Sequence, residues 1–348
     1  MASSSLNKID ILRFLELAES FPVIDVRSPS EFDRGHIPGA FNIPLFSDRE
    51  REAVGIDYIK KGKSRAIIKG LELTGPSMHL KLKEALKIAS KGKLLVHCWR
   101  GGMRSEAMAW LFSLGDLETE ILEGGYKSYR NHVLAGLSEK RRIIILGGMT
   151  GSSKTQILRH IKNIGKQVID LEGIANHKGS AFGALGQEPQ PPSSEHFENL
   201  LFDEWKKINF QEPLWLEDES KNIGSVFLPD AFYFNMQESP AIILLMNIEK
   251  RLPRLIGEYS TYSPDLLKGI IMKISKRLGG DNTKEALNAI DTGDFAKAIE
   301  ITLRYYDKTY KFAISKKRSG KTIYVETETD NIEKNAISIL EAAKQITW

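Results

Sequence analysis

Leu94-Leu95-Val96-His97-Cys98-Trp99-Arg100-Gly101-Gly102-Met103-Arg104-Ser105 holds the only cysteine in 348 residues. The apolar run from Leu94 to Val96 predicts a buried strand that delivers Cys98 to the mouth of a loop. Gly101 and Gly102 let the backbone turn so that several N–H groups converge on one spot. Ala107, Met108, Trp110, Leu111 and Leu114 predict a helix whose positive N-terminal end faces that spot. Arg100 and Arg104 add fixed charge. Such surroundings lower a thiol pKa and hold an anion above the thiolate. Cys98 is therefore the candidate nucleophile, with Arg100 and Arg104 as its anion-orienting partners. A cysteine that merely filled a core would have no use for these glycines and arginines.

Working outward, Val23-Ile24-Asp25-Val26-Arg27 predicts a second buried strand, and Ser28-Pro29-Ser30-Glu31-Phe32 carries helix-start signals. Gly35-His36-Ile37-Pro38-Gly39-Ala40 is a loop, followed by the short strand Phe41-Asn42-Ile43-Pro44. Residues 6–20 predict an amphipathic helix with Ile9, Ile11, Leu12, Phe14 and Leu15 on its apolar side. Residues 47–90 are polar and helical in parts. A further strand, Thr119-Glu120-Ile121-Leu122, is closed by Glu123-Gly124-Gly125-Tyr126, and residues 126–136 are helical. Strands alternating with helices imply a parallel α/β sheet.

After the polar linker Ser138-Glu139-Lys140-Arg141-Arg142 comes the apolar strand Ile143-Ile144-Ile145-Leu146. It leads into Gly147-Gly148-Met149-Thr150-Gly151-Ser152-Ser153-Lys154-Thr155 and then a helix through Ile157, Leu158 and Ile161. Strand, glycine-rich loop, Lys-Thr and helix form the setting of a P-loop. The backbone N–H groups from Gly151 through Ser152 and Ser153 would cradle phosphates, with Gly148 opening the loop. Lys154 would reach the terminal phosphates, and the Thr155 hydroxyl offers a position for Mg²⁺. The pattern places glycine immediately before the lysine, but Ser153 stands there. If that position needs positive φ, serine costs about 1 kcal/mol in strain.

Beyond the P-loop, Val168-Ile169-Asp170-Leu171 reads as a strand, and 172–183 as a functional loop. Gln187 to Pro192 is a Pro-rich linker, and His196 to Ile208 a helix. Pro213-Leu214-Trp215-Leu216-Glu217-Asp218-Glu219-Ser220 reads as a strand ending in acids. A carboxylate there can serve Mg²⁺ directly or through water, and of the adjacent pair Asp218 is the one selected. Ala241 to Met246 is another buried strand, followed by Arg251 and Arg254, three apart and able to face a phosphate. The rest is mostly helical with a break at Gly279-Gly280, then the strand Thr322 to Val325 and a final helix. The fold class expected is α/β: a rhodanese-like parallel-sheet domain over 1–137, then a P-loop NTPase-like α/β domain over 138–348 with a helical C-terminal part.

Composition sets limits. Apolar content of 41% with 27% charged residues is ordinary for a globular protein. No apolar run approaches membrane-span length, and the N-terminus lacks the charged and apolar regions of a signal peptide. A single cysteine excludes an internal disulfide and a cysteine-based metal cluster, and a cytoplasmic location fits; no metal ligands are assigned, and Mg²⁺ at the P-loop is left open. Charge is segregated. Residues 60–105 carry a net +10, residues 170–240 a net −9 and residues 301–321 a net +6. Two basic blocks suggest a polyanionic partner.

The Val23–Arg27 strand, Glu31-Phe32, the 35–40 loop, Asn42-Ile43-Pro44, the Cys98 loop and Gly124-Gly125-Tyr126 together resemble a rhodanese domain over residues 8–136. In that family the loop cysteine carries a persulfide or perselenide, or attacks a sulfur donor, while Asp25 and Arg27 support the loop. Here five residues separate Cys98 from Arg104. That spacing exceeds an ordinary sulfurtransferase loop and matches cysteine phosphatases. It gives room for a tetrahedral oxyanion and leaves sulfur transfer and phosphoester hydrolysis both open.

With Leu171 to Ser180, Phe182 to Gly186 and Glu217 to Ser220 added, the chain resembles the tRNA 2-selenouridine synthases over residues 8–260. Ser153 departs from that family's Gly-Lys-Thr. The resemblance implies a tRNA substrate with a 5-substituted 2-thiouridine at the wobble position. Geranyl diphosphate would alkylate the sulfur, and selenophosphate would then supply selenium as geranylthiol leaves. The P-loop would bind the diphosphate, and the Cys98 loop selenophosphate. Cys98 would accept selenium as a perselenide or otherwise activate the donor, and the basic blocks would bind tRNA. The alternatives are a cysteine-dependent phosphatase, or a rhodanese sulfurtransferase fused to a P-loop kinase or NTPase.

Overall fold

The computed structural model describes residues 7–177, 190–317 and 320–348. Residues 178–183 of the 172–183 loop, residues 184–186, residues 187–189 of the Pro-rich stretch, Arg318, Ser319 and the first six residues lie outside them. The chain divides into two compact units. Unit 1 comprises Met1–Gly136 together with Glu195–Asp203, and unit 2 comprises Leu137–Ser194 and Glu204–Trp348.

Unit 1 is built on five parallel strands: β1 (Asn7–Ile9), β2 (Val23–Asp25), β3 (Phe41–Asn42), β4 (Lys93–His97) and β5 (Glu118–Leu122), in the order β1-β5-β4-β2-β3. β4 is central and pairs with β2 so that Asp25 lies opposite His97. Both faces are covered. Ile24, Val26, Leu94 and Val96 pack with Met108 and Phe112 of the helix Met103–Ser113 on one side. This burial explains why β4 reads as an unbroken apolar run rather than an alternating one. The segment 6–20 departs from its single-helix reading. Asn7–Ile9 pairs with β5 as an edge strand, and Asp10 then caps a helix, Ile11–Ala18, through bonds from Leu12 N and Arg13 N. Of the apolar positions expected to face inward there, only Phe14 is buried, and Leu12 is 67% exposed. Residues 47–90 form three helices: Asp48–Lys61, Lys63–Thr74 and Met78–Ile88.

Unit 2 holds a second all-parallel sheet. Its strands are β6 (Ile143–Gly148), β7 (Gln167–Val168), β8 (Leu214–Glu217), β11 (Ala241–Met246) and β12 (Thr322–Thr327), in the order β12-β11-β6-β8-β7. A hairpin that the sequence pattern did not reveal, β9 (Asn222–Ile223) with β10 (Val226–Phe227), stands apart from that sheet. The loop after β6 therefore opens at the carboxyl edge of the central strand, between β11 and β8, where α/β sheets bind ligands. The strand expected over 168–171 stops at Val168. Asp170 instead caps a short helix, Leu171–Ala175, by accepting from Gly173 N. Four helices, Ile248–Tyr259, Pro264–Leu278, Gly280–Asp291 and Phe295–Lys317, share a separate apolar core that includes Leu255, Ile271, Ala286 and Leu303.

Candidate active site

Unit 1 presents Cys98 at the end of β4, 4% exposed. Gly101 sits at φ +64, and a Cβ there would lie 2.3 Å from the Leu122 carbonyl oxygen. A Cβ on Gly125 would meet the Cys98 carbonyl oxygen and the Gly101 nitrogen, each at 2.4 Å. The two glycine turns are thus packed backbone to backbone, which only glycine permits. Gly102 follows at φ −107 and ψ −147, where the loop turns into the helix Met103–Ser113 that it caps. From that helix Ser105 places its hydroxyl 3.4 Å from Cys98 Sγ and 2.9 Å from the Gly102 carbonyl oxygen. Burial pushes the Cys98 thiol up, but the Ser105 hydroxyl, the Arg104 charge and the Arg100 and Ser105 backbone N–H groups outweigh it, holding the thiol below its ordinary value.

Arg104 is fixed by Glu31, with Nη1 donating to Oε2 at 2.8 Å and Arg51 approaching the same carboxylate at 3.4 Å. Arg100 is exposed, beside Trp99. The loop rests on an enclosed pair: Arg27 forks onto Asp25 and donates to the Gly35 carbonyl, and its guanidinium lies 3.7 Å from the centre of the Tyr126 ring. Tyr126 N donates to the Cys98 carbonyl at 2.8 Å. Its hydroxyl donates to Glu195 at 3.0 Å and accepts from Asn199 at 2.7 Å. Glu195 and Asn199 were not legible as site-supporting residues. They lie about 70 positions downstream in sequence and carry no local motif.

In unit 2 the P-loop lines a cavity of about 610 Å³. Ser153 has φ +65 and ψ +21, so the position does require the left-handed region. Arg254 donates to its hydroxyl. Arg251 faces inward instead: it is buried, pairs with Asp307, and donates to the carbonyls of Thr150 and Met246. Of the two arginines, Arg251 braces the loop and Arg254 lines the cavity.

Lys154 Nζ lies 3.2 Å from Glu217 Oε1, and the Thr155 hydroxyl donates within reach of Glu217 at 3.0 Å and Glu172 at 3.2 Å. The carboxylate beside the Lys-Thr pair is therefore Glu217. Asp218 lines the same cavity but accepts from the Tyr310 hydroxyl at 3.1 Å, and that hydroxyl also accepts from Gly148 N at 2.7 Å. Glu172, Glu217 and Glu219 bring carboxylate oxygens within 4.8 Å of one another. Burial and the Glu217 charge push Glu172 up to about 8. Burial acts on Glu219 in the same direction, helped by Glu217 and Glu172. Burial alone would depress Lys154, but the three glutamates, led by Glu217, raise it. Glu172 and Glu219 had one sequence signal, acids at the ends of adjacent elements. Gly148 closes β6, Gly151, Ser152, Ser153, Lys154 and Thr155 follow one another through the turn into the next helix, and Ser152 is fully buried.

Fold and site together define a two-part protein: a rhodanese-like unit with a buried thiol at the end of β4, followed by a P-loop-like unit whose loop lines a cavity beside Lys154. The family profile for the tRNA 2-selenouridine synthase AAA domain matches residues 141–338, and that for the rhodanese-like domain matches residues 11–132. Among curated relatives, the tRNA 2-selenouridine synthase of Nitrosomonas europaea is 32% identical over 89% of this chain and 93% of its own. Those of Shewanella frigidimarina and Shewanella halifaxensis are 34% and 35% identical, over 87% and 90% of this chain and 91% and 94% of theirs. A crystallised N-terminal domain from Clostridium difficile 630 is 36% identical, covering 37% of this chain and 99% of its own at a TM-score of 0.34. The chain belongs to the tRNA 2-selenouridine synthase family, which is a family of enzymes. Among the described residues no helix is long and apolar enough to cross a membrane.

Proposed function

We propose that this chain converts a wobble 5-substituted 2-thiouridine of tRNA to 2-selenouridine through an S-geranyl intermediate, using geranyl diphosphate and selenophosphate. The observation that carries the reading is the presence, in one chain of this family, of a thiol loop with Arg104 spacing and a P-loop built on a nonstandard serine. A loop that must only grip a diphosphate tolerates Ser153. In the first step the thiouridine sulfur attacks C1 of the geranyl group, the C–O bond breaks, diphosphate leaves and the base loses its N3 proton. Lys154 and Arg254 supply charge to the departing diphosphate.

The oxygen-only donor set of Glu172, Glu217, Glu219 and the Thr155 hydroxyl suits a hard divalent cation such as Mg²⁺. Bound there, it would offset the three-to-one excess of carboxylates over Lys154 and screen them from the diphosphate.

In the second step selenophosphate occupies the Cys98 loop. The thiolate attacks phosphorus, the P–Se bond breaks, and hydroselenide leaves with selenium at the same oxidation level. Water then cleaves the phosphocysteine. Hydroselenide adds at C2 of the base and geranylthiolate is expelled. A perselenide route would need an oxidant that neither substrate supplies. Arg100, exposed at the loop, and Arg104 orient the phosphate oxygens. The basic blocks 60–105 and 301–321 would carry the tRNA backbone.

Mass spectrometry of tRNA nucleosides tests this. Cys98→Ala should accumulate S-geranyl-2-thiouridine and yield no selenouridine. Lys154→Ala should fail to prenylate yet convert pre-geranylated tRNA. Selenium incorporation undiminished in Cys98→Ala would overturn the thiol chemistry. Hydrolysis of an aryl phosphate without selenium transfer would favour a phosphatase.

A further inference from the structure

A second cavity, of about 680 Å³, lies among the C-terminal helices of unit 2. Arg277 reaches it from Pro264–Leu278, and Lys297, Arg304, Lys308 and Phe312 from Phe295–Lys317. Lys297 is answered by Glu285 at 3.2 Å and Arg304 by Glu300 at 2.6 Å. Arg277 and Lys308 are exposed and have no ion-pair partner among the described residues. Phe312 stands 60% exposed at the same groove. This groove adjoins the P-loop cavity. Thr309 lines both. Tyr305 faces the groove and Tyr306 the P-loop cavity, their rings in T-shaped contact with centroids 5.3 Å apart.

Resting on the tRNA reading above, we propose that this groove holds the single-stranded RNA flanking the base that enters the P-loop cavity. Arg277 and Lys308 each meet a backbone phosphate, and Phe312 offers its ring to an unpaired base. Uncompensated cations beside an exposed aromatic fit looped-out RNA, whose bases stack while its phosphates are neutralised. The shared wall at Thr309 and the tyrosine pair lets one strand leave a base in the cavity and its backbone in the groove. An acidic polypeptide would use the cations but not the ring.

The test is binding of a 2-thiouridine tRNA to the full chain at stepped KCl concentrations. Arg277→Glu with Lys308→Glu should weaken binding at least about tenfold and flatten the slope of log affinity against log salt by roughly 1.5, two lost contacts' worth. Phe312→Ala should weaken binding and leave the slope unchanged. Binding of inorganic diphosphate to the P-loop should match wild type in both variants. If charge reversal disturbs that control, Arg277→Gln with Lys308→Gln keeps both side-chain stems and is read in its place. Unchanged affinity and slope in the charge variants overturn the groove while leaving the tRNA reading standing. A wild-type chain that binds no tRNA overturns the tRNA reading itself. Displacement of the RNA by polyglutamate at equal charge would reassign the groove to acidic polypeptides.

Discussion

Ser153 shows how one side chain can be held against its own preference. Its φ of +65 costs a residue with a Cβ about 1 kcal/mol, and the surrounding loop imposes it. The hydroxyl in return accepts from Arg254. Ser153→Gly should therefore stabilise the chain by up to about 1 kcal/mol in urea unfolding and preserve prenyl transfer. A net loss of stability would mean that the Arg254 contact together with the glycine's extra unfolded-state entropy outweighs the strain. Arg254→Ala should raise the KM for the prenyl diphosphate several-fold with a smaller change in kcat, as expected for a cation that binds the ground-state diphosphate. At the other site, Ser105 carries the largest of the influences that lower the Cys98 thiol. Ser105→Ala should shift the pH midpoint of Cys98 alkylation by iodoacetamide upward. An unmoved midpoint would leave Arg104 and the backbone N–H groups as sufficient. The types Cys98, Lys154 and Thr155 were legible because each belongs to a short contiguous pattern. The choice between Glu217 and Asp218 was not, because it depends on where β8 stops. Glu217 is its last residue, opposite Leu146, and directs its carboxylate to Thr155.

At the scale of elements, the helix Ser194–Trp205 was expected as a helix, but its affiliation was not readable. Its residues Glu195–Asp203 belong to unit 1. They bind Tyr126, Arg130 and the His36 carbonyl across separations of 65 to 73 residues, or 163 in the last case. Local periodicity identifies a helix and says nothing about such distant partners. The docking has a pH signature. The His36 and His196 rings lie 4.1 Å apart, centroid to centroid. Burial, then the neighbouring His36, lowers His196 to about 4, and burial lowers His36 as well. Both folded values lie below the unfolded value of ~6.5, so the unfolded chain binds more protons between them. The stability is fully present above about pH 6.5 and is lost as pH falls toward 4. Because His196 is partly open to solvent, the loss should be on the order of 1–2 kcal/mol. His196→Phe keeps a ring there and should flatten the pH dependence of thermal unfolding. An equally steep profile in that variant would place the titrating group elsewhere.

For the whole molecule, each unit has its own parallel sheet and its own apolar core. That much was visible in the sequence, because two strand–loop–helix starts, at Cys98 and at Gly148, each follow an apolar run. The three-helix stretch after β3, the β9–β10 hairpin and the bundled C-terminal helices were blurred, since polar helices carry a weak period and two-residue strands carry none. Each unit also contains every described side chain that builds its site. The Cys98 loop and its supports lie in Met1–Gly136 and Glu195–Asp203, and the cavity around Lys154 is lined only from unit 2. On the proposed reaction, a chain lacking one chemistry should retain the other, and the tRNA would carry the geranyl group from one molecule to the next. Mixing Cys98→Ala with Lys154→Ala, each inactive alone for the full conversion, should restore 2-selenouridine, detected by mass spectrometry of nucleosides. The yield should rise with the concentration of the Lys154→Ala protein. If the mixture accumulates geranylated tRNA and no selenouridine, the intermediate is not released for capture by a second chain, and the two sites must act within a single encounter.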